Sequence, residues 1–218
     1  MTTQDPATAI SILHEEPNWL VIAKPTGMHS VAQRGSEQPC VEDALRALRP
    51  DLGALDECGL VHRLDFDTSG CLLVAKDADT RARLRDAFSG RGGDIRKTYL
   101  ARVEGQYSNR VMAGAFTLSF TSRHRGSAKV TVHTSGEPES IGRCRWRVLS
   151  VRDDTTLVEV ELLGPGRRHQ IRAGFAYEEH PLVGDTLYGS KSEGPIRLHA
   201  WRLEVDGTTV ECPAPEWA

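Results

Sequence analysis

Eight runs of strand length recur along the chain, and they constrain its fold more than any other feature. They cover residues 19–24, 71–76, 98–103, 115–120, 130–133, 145–151, 157–163 and 196–203. Several alternate with period two, as in Leu157-Val-Glu-Val-Glu-Leu, which predicts strands with one buried and one wetted face. Helical stripes are fewer. Residues 41–48 carry apolar side chains at 41, 44, 45 and 48, and the stripe ends before Pro50. Residues 79–88 place Leu84 one turn before Phe88, with Asp77 positioned as a cap. Residues 170–178 form the third. A parallel βαβ fold would need a helix after nearly every strand. The pattern instead predicts an α+β class with a largely antiparallel sheet.

The 218 residues are enough for one or two domains with a sizeable core. No run approaches the roughly 20 apolar residues that span a bilayer, so no membrane partner is expected. The first 15 residues contain Asp5 and Glu15 but no Lys or Arg, unlike a leader peptide. Five scattered cysteines form no C-x-x-C pair, which speaks against a disulfide scaffold or a structural zinc site. A cytoplasmic location is the expectation.

The net charge of −3 hides an uneven distribution. Residues 1–60 hold four Lys/Arg against nine Asp/Glu, whereas residues 81–147 hold fourteen against five. This central basic segment reads either as a solvated surface or as a phosphate-contacting face. Charge alone leaves both open.

Four stretches are too particular for packing. His62-Arg63-Leu64-Asp65-Phe66-Asp67-Thr68-Ser69-Gly70 puts titratable groups before a turn that a strand then anchors, as loops bearing catalytic groups often do. It also reads as a polar turn in which Asp65 or Asp67 bonds the backbone. Lys97-Thr98-Tyr99 opens a strand; its Tyr could stack on a base or be a half-buried β-former. Gly164-Pro-Gly166-Arg167-Arg168-His169-Gln170-Ile171-Arg172 leads into a helix, where arginines favour anions or an ion pair with a buried carboxylate. His180-Pro-Leu-Val-Gly184-Asp185-Thr-Leu-Tyr188-Gly189 reads residue by residue as a turn-rich connection.

In order, with Lys24-Pro25-Thr26-Gly27 ahead and Arg197-Leu-His-Ala behind, these motifs resemble the RluA-type pseudouridine synthases over residues 10–205. The resemblance implies a mixed, mainly antiparallel sheet crossed by a catalytic cleft, with flanking helices and loops. Residues 1–9 would then be an N-terminal tail and 206–218 a C-terminal tail. It implies an isomerase that converts uridine in ribosomal or transfer RNA stem-loops to pseudouridine, acting as a monomer and without metal or organic cofactor. Asp65 would be the catalytic carboxylate and Arg172 the cation that keeps it ionised in a dry pocket. Tyr99 would stack on the flipped base, Arg63 would brace the vacated place in the RNA, and Ile171 would form apolar wall. Local RNA contacts differ from the family pattern where Arg168, Ala173, Gly174 and Phe175 replace its Thr and Val-His-Leu. Two other classes compete: a non-catalytic RNA-binding or RNA-remodelling protein of the same fold, and a metal-dependent hydrolase using His62, His169 and Asp65. The latter lacks ligand spacing.

Overall fold

A computed structural model describes residues 10–33, 38–107, 111–124 and 126–218. The segment read as an N-terminal tail, 1–9, lies outside the described residues. The chain divides into two compact units, Met1–Ile95 with Ala200–Pro213, and Arg96–His199 with Ala214–Ala218.

In the first unit, strands β1 (Ser11–Glu15), β2 (Trp19–Lys24) and β3 (Ser69–Ala75) form an antiparallel meander. Next to β3 comes β9 (Leu198–Val205), most of which belongs to this unit, followed by β10 (Thr208–Glu211). β2 and β3 are apolar almost throughout because both faces are covered. One core joins Trp19, Val21, Leu73, Leu84, Val205 and Val210. Helix α1 (Val41–Leu48) lies where its apolar stripe predicts and buries Val41, Ala44 and Leu45. Helix α2 (Ala78–Phe88) starts at Asp77, whose side chain accepts from the Thr80 N–H at 2.7 Å. β10 lies inside the segment read as a C-terminal tail, and that segment contributes Val210 and Cys212 to the core.

The second unit has strand order β4 (Ile95–Glu104), β8 (Thr155–Leu163), β7 (Ile141–Arg152), β5 (Ala113–Thr121) and β6 (Thr131–His133), all paired antiparallel. β7 shows the predicted alternation: Gly142, Cys144, Trp146 and Val148 are buried, while Arg143, Arg145 and Arg147 are exposed. Helix α3 (Gln170–Tyr177) packs on the buried face, with Phe175 against Phe116 and Trp146. Gly174 explains one departure from the family pattern. A Cβ there would come within 2.2 Å of the Phe116 ring, so the missing side chain admits that ring to the helix.

All five cysteines are buried and none forms a disulfide, as their spacing predicts. Among the described residues no helix is long and apolar enough to cross a membrane.

Candidate active site

The loop between a short helical turn at Asp56–Gly59 and β3 carries Arg63 and Asp65 in the first unit. Its shape is set by the segment that follows β2. Lys24 ends that strand opposite Gly70 of β3 and is only 1 % exposed. Its Nζ donates to three main-chain oxygens: Pro25 at 2.9 Å, Phe66 at 3.1 Å and Thr68 at 2.7 Å. An ammonium has three protons, and each has an acceptor. The Gly27 and Met28 N–H groups also donate to Phe66 O, and Thr26 Oγ1 donates to Asp67 O. Ser30 Oγ donates to Leu64 O at 2.9 Å and accepts from Leu64 N at 3.0 Å. The Thr68 N–H closes the turn onto Asp65 O at 3.1 Å. All of these bonds except that to Pro25 O engage the loop main chain.

Two further residues fix the loop's flanks. Gly70 has φ +115°, and a Cβ there would lie 2.2 Å from Ala200 O, so the glycine of Thr-Ser-Gly is required by the neighbouring strand. His62 accepts from Leu73 N through Nε2 at 3.1 Å and stacks on Phe88 at 4.2 Å. It is thereby a brace between loop, strand and α2. Arg63 is exposed and Asp65 partly buried. Burial pushes the Lys24 ammonium down to about 8, while the carboxylates of Asp65 and then Asp67 oppose that shift. Lys24 is thus a cation electrostatically coupled to Asp65, a role the sequence reading did not assign.

Tyr99, Ile171 and Arg172 belong to the second unit. Tyr99 pairs with Val160 across β4 and β8, and Val160 with Trp146, so Tyr99 lies on the face that receives α3. Tyr99, Ile171 and Arg172 are all buried. Lys97, two residues before Tyr99, donates to Gly164 O at 2.6 Å and anchors the start of the arginine-rich motif; burial pushes it down to about 8. His169 adopts the left-handed conformation at φ 53° just before α3. Gln170 accepts from Arg167 N and donates to Arg143 O.

Asp185 corrects the reading of 180–189 as a mere turn-rich connection. It is 1 % exposed and takes a bidentate pair from Arg172, Nε to Oδ2 at 2.7 Å and Nη2 to Oδ1 at 2.9 Å. Arg172 also lies over the Tyr188 ring, 5.5 Å from its centroid. Planar fork meeting carboxylate makes this the strongest kind of ion pair, and removing its negative charge withdraws a bidentate partner from a buried guanidinium. Asp185→Asn is expected to lower unfolding stability by about 3–5 kcal/mol, read from urea denaturation. A change within about 0.5 kcal/mol would show the pair to be dispensable.

The charge pattern resolves in part into local ion pairs. Arg145 and Arg147 of β7 pair with Glu161 and Glu159 directly opposite on β8. Arg81 and Arg85 pair with Glu57, Arg83 with Asp206 and Arg91 with Asp86. Much of the linear basic excess is therefore a solvated, compensated surface. Among the described residues no three His, Cys, Asp or Glu side chains gather as metal ligands. His62 and His169 instead bond Leu73 N and Tyr188 Oη, in separate units.

Comparison with known proteins places this arrangement. The family model described as RNA pseudouridylate synthase matches residues 18–177. The chain is 32 % identical over 213 residues to a ribosomal large subunit pseudouridine synthase D of Nitrosomonas europaea, covering 93 % of this chain and 59 % of the relative. It is 36 % identical over 185 residues to a ribosomal large subunit pseudouridine synthase C of Escherichia coli, covering 85 % of this chain and 55 % of the relative. The chain thus spans between half and three fifths of the length of these relatives. Two solved structures share its fold: human RNA pseudouridylate synthase domain containing 4, with TM-score 0.74, 22 % identity and coverage of 94 % and 89 %, and human domain containing 1, with TM-score 0.71, 24 % identity and coverage of 99 % and 86 %. With the ordered motifs of its sequence, these matches show that the chain belongs to the RNA pseudouridylate synthase family.

Proposed function

We propose that the protein isomerises uridine to pseudouridine in structured RNA, ribosomal or transfer, without metal or organic cofactor. Large-subunit ribosomal RNA is the first candidate, because the curated relatives carry that substrate in their names. The observation that carries this reading is the Asp65 loop, in which a preceding segment satisfies the main chain of residues 64, 66, 67 and 68 and so fixes where the Asp65 side chain starts. Such preorganisation is what a reacting carboxylate needs and what a simple RNA-binding surface does not.

In the reaction the C1′–N1 glycosidic bond breaks and a C1′–C5 bond forms. The C5 proton is lost and N1 regains one, so no redox partner is required. The target base is extruded into the pocket at a cost of a few kcal/mol. Asp65 engages the electron-poor sugar as nucleophile or base. Arg172 is assigned as its compensating cation, Tyr99 as the stacking surface for the base, Arg63 as the brace in the RNA and Ile171 as apolar wall. The protein is assigned to the cytoplasm and to a monomeric state.

Total RNA from a strain lacking the gene, incubated with purified protein, is expected to gain pseudouridine at one or a few defined positions. Site mapping by reverse transcription after carbodiimide treatment reads the outcome. RNA binding without any new pseudouridine in either ribosomal or transfer RNA would favour the non-catalytic alternative and overturn the proposal.

A further inference from the structure

Residues 122–130, which join β5 to β6, lie in the longest acid-free part of the chain. No Asp or Glu occurs between Glu104 and Glu137. Once the ion pairs of β7, β8 and α2 are discounted, Arg123 and Lys129 remain among the uncompensated cations of the central segment. Among the described residues no carboxylate pairs with Arg123 or Lys129, and both are exposed. A long exposed lysine on a loose loop would make a poor ligand for a defined phosphate, because ordering it costs up to about 2 kcal/mol of side-chain entropy before the backbone is counted.

Residues 127–130 are not loose. Arg168, where the family pattern has Thr, reaches across and donates from Nη1 to Ser127 O at 2.6 Å and from Nη2 to Ala128 O at 3.0 Å. Tyr188 Oη accepts from Val130 N at 2.9 Å and shares a hydrogen bond with His169 Nδ1 at 2.9 Å. The main chain on both sides of Lys129 is therefore fastened, to Arg168 just before α3 on one side and to Tyr188 beyond α3 on the other. Ser127 Oγ adds a bond to Lys129 O at 2.9 Å. The Lys129 ammonium is held over the Tyr188 ring, 5.3 Å from its centroid, a geometry that an aromatic face favours. With both its planar donors committed to carbonyls, Arg168 acts on the loop, and Lys129 is the cation that the loop displays.

We infer that Arg168 clamps residues 127–130 so that Lys129 grips one phosphate of the RNA substrate. This rests on the RNA-modifying reading above and adds a contact, together with a positioning residue that the common family pattern lacks. Nothing in it depends on Asp65.

Binding of a fluorescein-labelled RNA hairpin, titrated from 50 to 200 mM KCl, tests it. Each phosphate neutralised contributes about 0.7 to 0.9 to the slope of log K against log salt. Lys129→Met is expected to reduce the slope by that amount, so that its affinity loss over the titration is about threefold smaller than wild type. Arg168→Thr is expected to reduce it similarly, and Lys129→Met/Arg168→Thr no further. Arg145→Met, which disturbs a compensated pair, should leave the slope at the wild-type value. A wild-type slope in Lys129→Met overturns the phosphate contact. A wild-type slope in Arg168→Thr, or a second equal reduction in the double variant, overturns the clamp, the latter by showing that Arg168 meets phosphate itself. Should Arg168→Thr fail to fold, by near-UV circular dichroism, the exposed Lys129→Met still decides the contact. Absence of pseudouridine formation with these slopes intact would remove the isomerase reading and leave the binding site standing. A wild-type protein with no salt-dependent hairpin binding would remove both.

Discussion

Asp65→Asn is expected to abolish pseudouridine formation, by at least about 10²–10⁴-fold, while leaving the fold and RNA binding intact. The expectation follows from how the loop is held. Lys24, Thr26, Gly27, Met28 and Ser30 bond the main chain of residues 64, 66, 67 and 68, and the turn closes on the Asp65 carbonyl. The amide keeps volume and removes only the charge. Loss of the charge facing Lys24 is expected to lower stability without preventing folding, which urea denaturation reads separately. A cooperative unfolding transition, an unchanged hairpin affinity and a loss of mapped pseudouridine would together assign the lost function to the carboxylate. An Asn variant with full activity would show that position 65 needs no charge, and the isomerase mechanism built on it would fall.

Much of this was legible in the chain itself, and the rest fails for identifiable reasons. Eight of the strands and all three helices announce themselves, and where one face alone is buried the periodicity survives, as in residues 41–48 and 157–163. β1 and β10 do not, since Ser11–Glu15 and Thr208–Glu211 are short edge segments whose exposure blurs the alternation. The motif order identifies the family, whereas the partnerships inside it are invisible in one dimension. Arg172 reads as a cation in search of a carboxylate, and the bidentate partner it has within its own unit, Asp185, sits in a stretch rich in turn residues. The only hint was an acid flanked by Gly184 and a nearby Tyr188. Lys24 is a sharper lesson. A lysine that closes the all-apolar run Trp19–Ala23 and precedes Pro25 has no solvent-facing strand position to occupy, and that signal could have marked it as buried. The basic excess of residues 81–147 shows the opposite error, because linear charge counts cannot see carboxylates arriving from Glu57, Glu159, Glu161 and Asp206.

Lys24→Met is expected to have the second largest effect, and its pH dependence separates the lysine's two roles. Methionine fills the space but offers no donor, so Pro25 O and Thr68 O lose the ammonium while Phe66 O keeps the Gly27 and Met28 N–H groups. Two buried acceptors stripped of a partner cost about 3 kcal/mol at neutral pH. Slackening of the Asp65 turn by about 1 Å costs about 10²-fold in rate. Burial holds Lys24 down to about 8 in the folded protein against an ordinary value of 10.5. Below pH 8 the lysine is charged in both states. Between 8 and 10.5 the unfolded chain keeps the proton that the folded protein has released, so the lysine's contribution to stability rises with pH through that window, by about 3 kcal/mol in all. Buried thiols work the other way above their ordinary value of 9, with Cys71 and Cys144 pushed up to about 12. Subtracting the urea-derived unfolding free energies of Lys24→Met from those of wild type at each pH cancels the thiols and isolates the lysine. Activity should move oppositely, since a neutral amine has two protons for three carbonyls and no longer attracts the Asp65 carboxylate. A difference in unfolding free energy between wild type and variant that grows above pH 8, together with a rate that falls there in wild type but not in the variant, would identify Lys24 as the cation that holds the reacting loop. A difference in unfolding free energy that stays flat from pH 7 to 10 would refute that assignment.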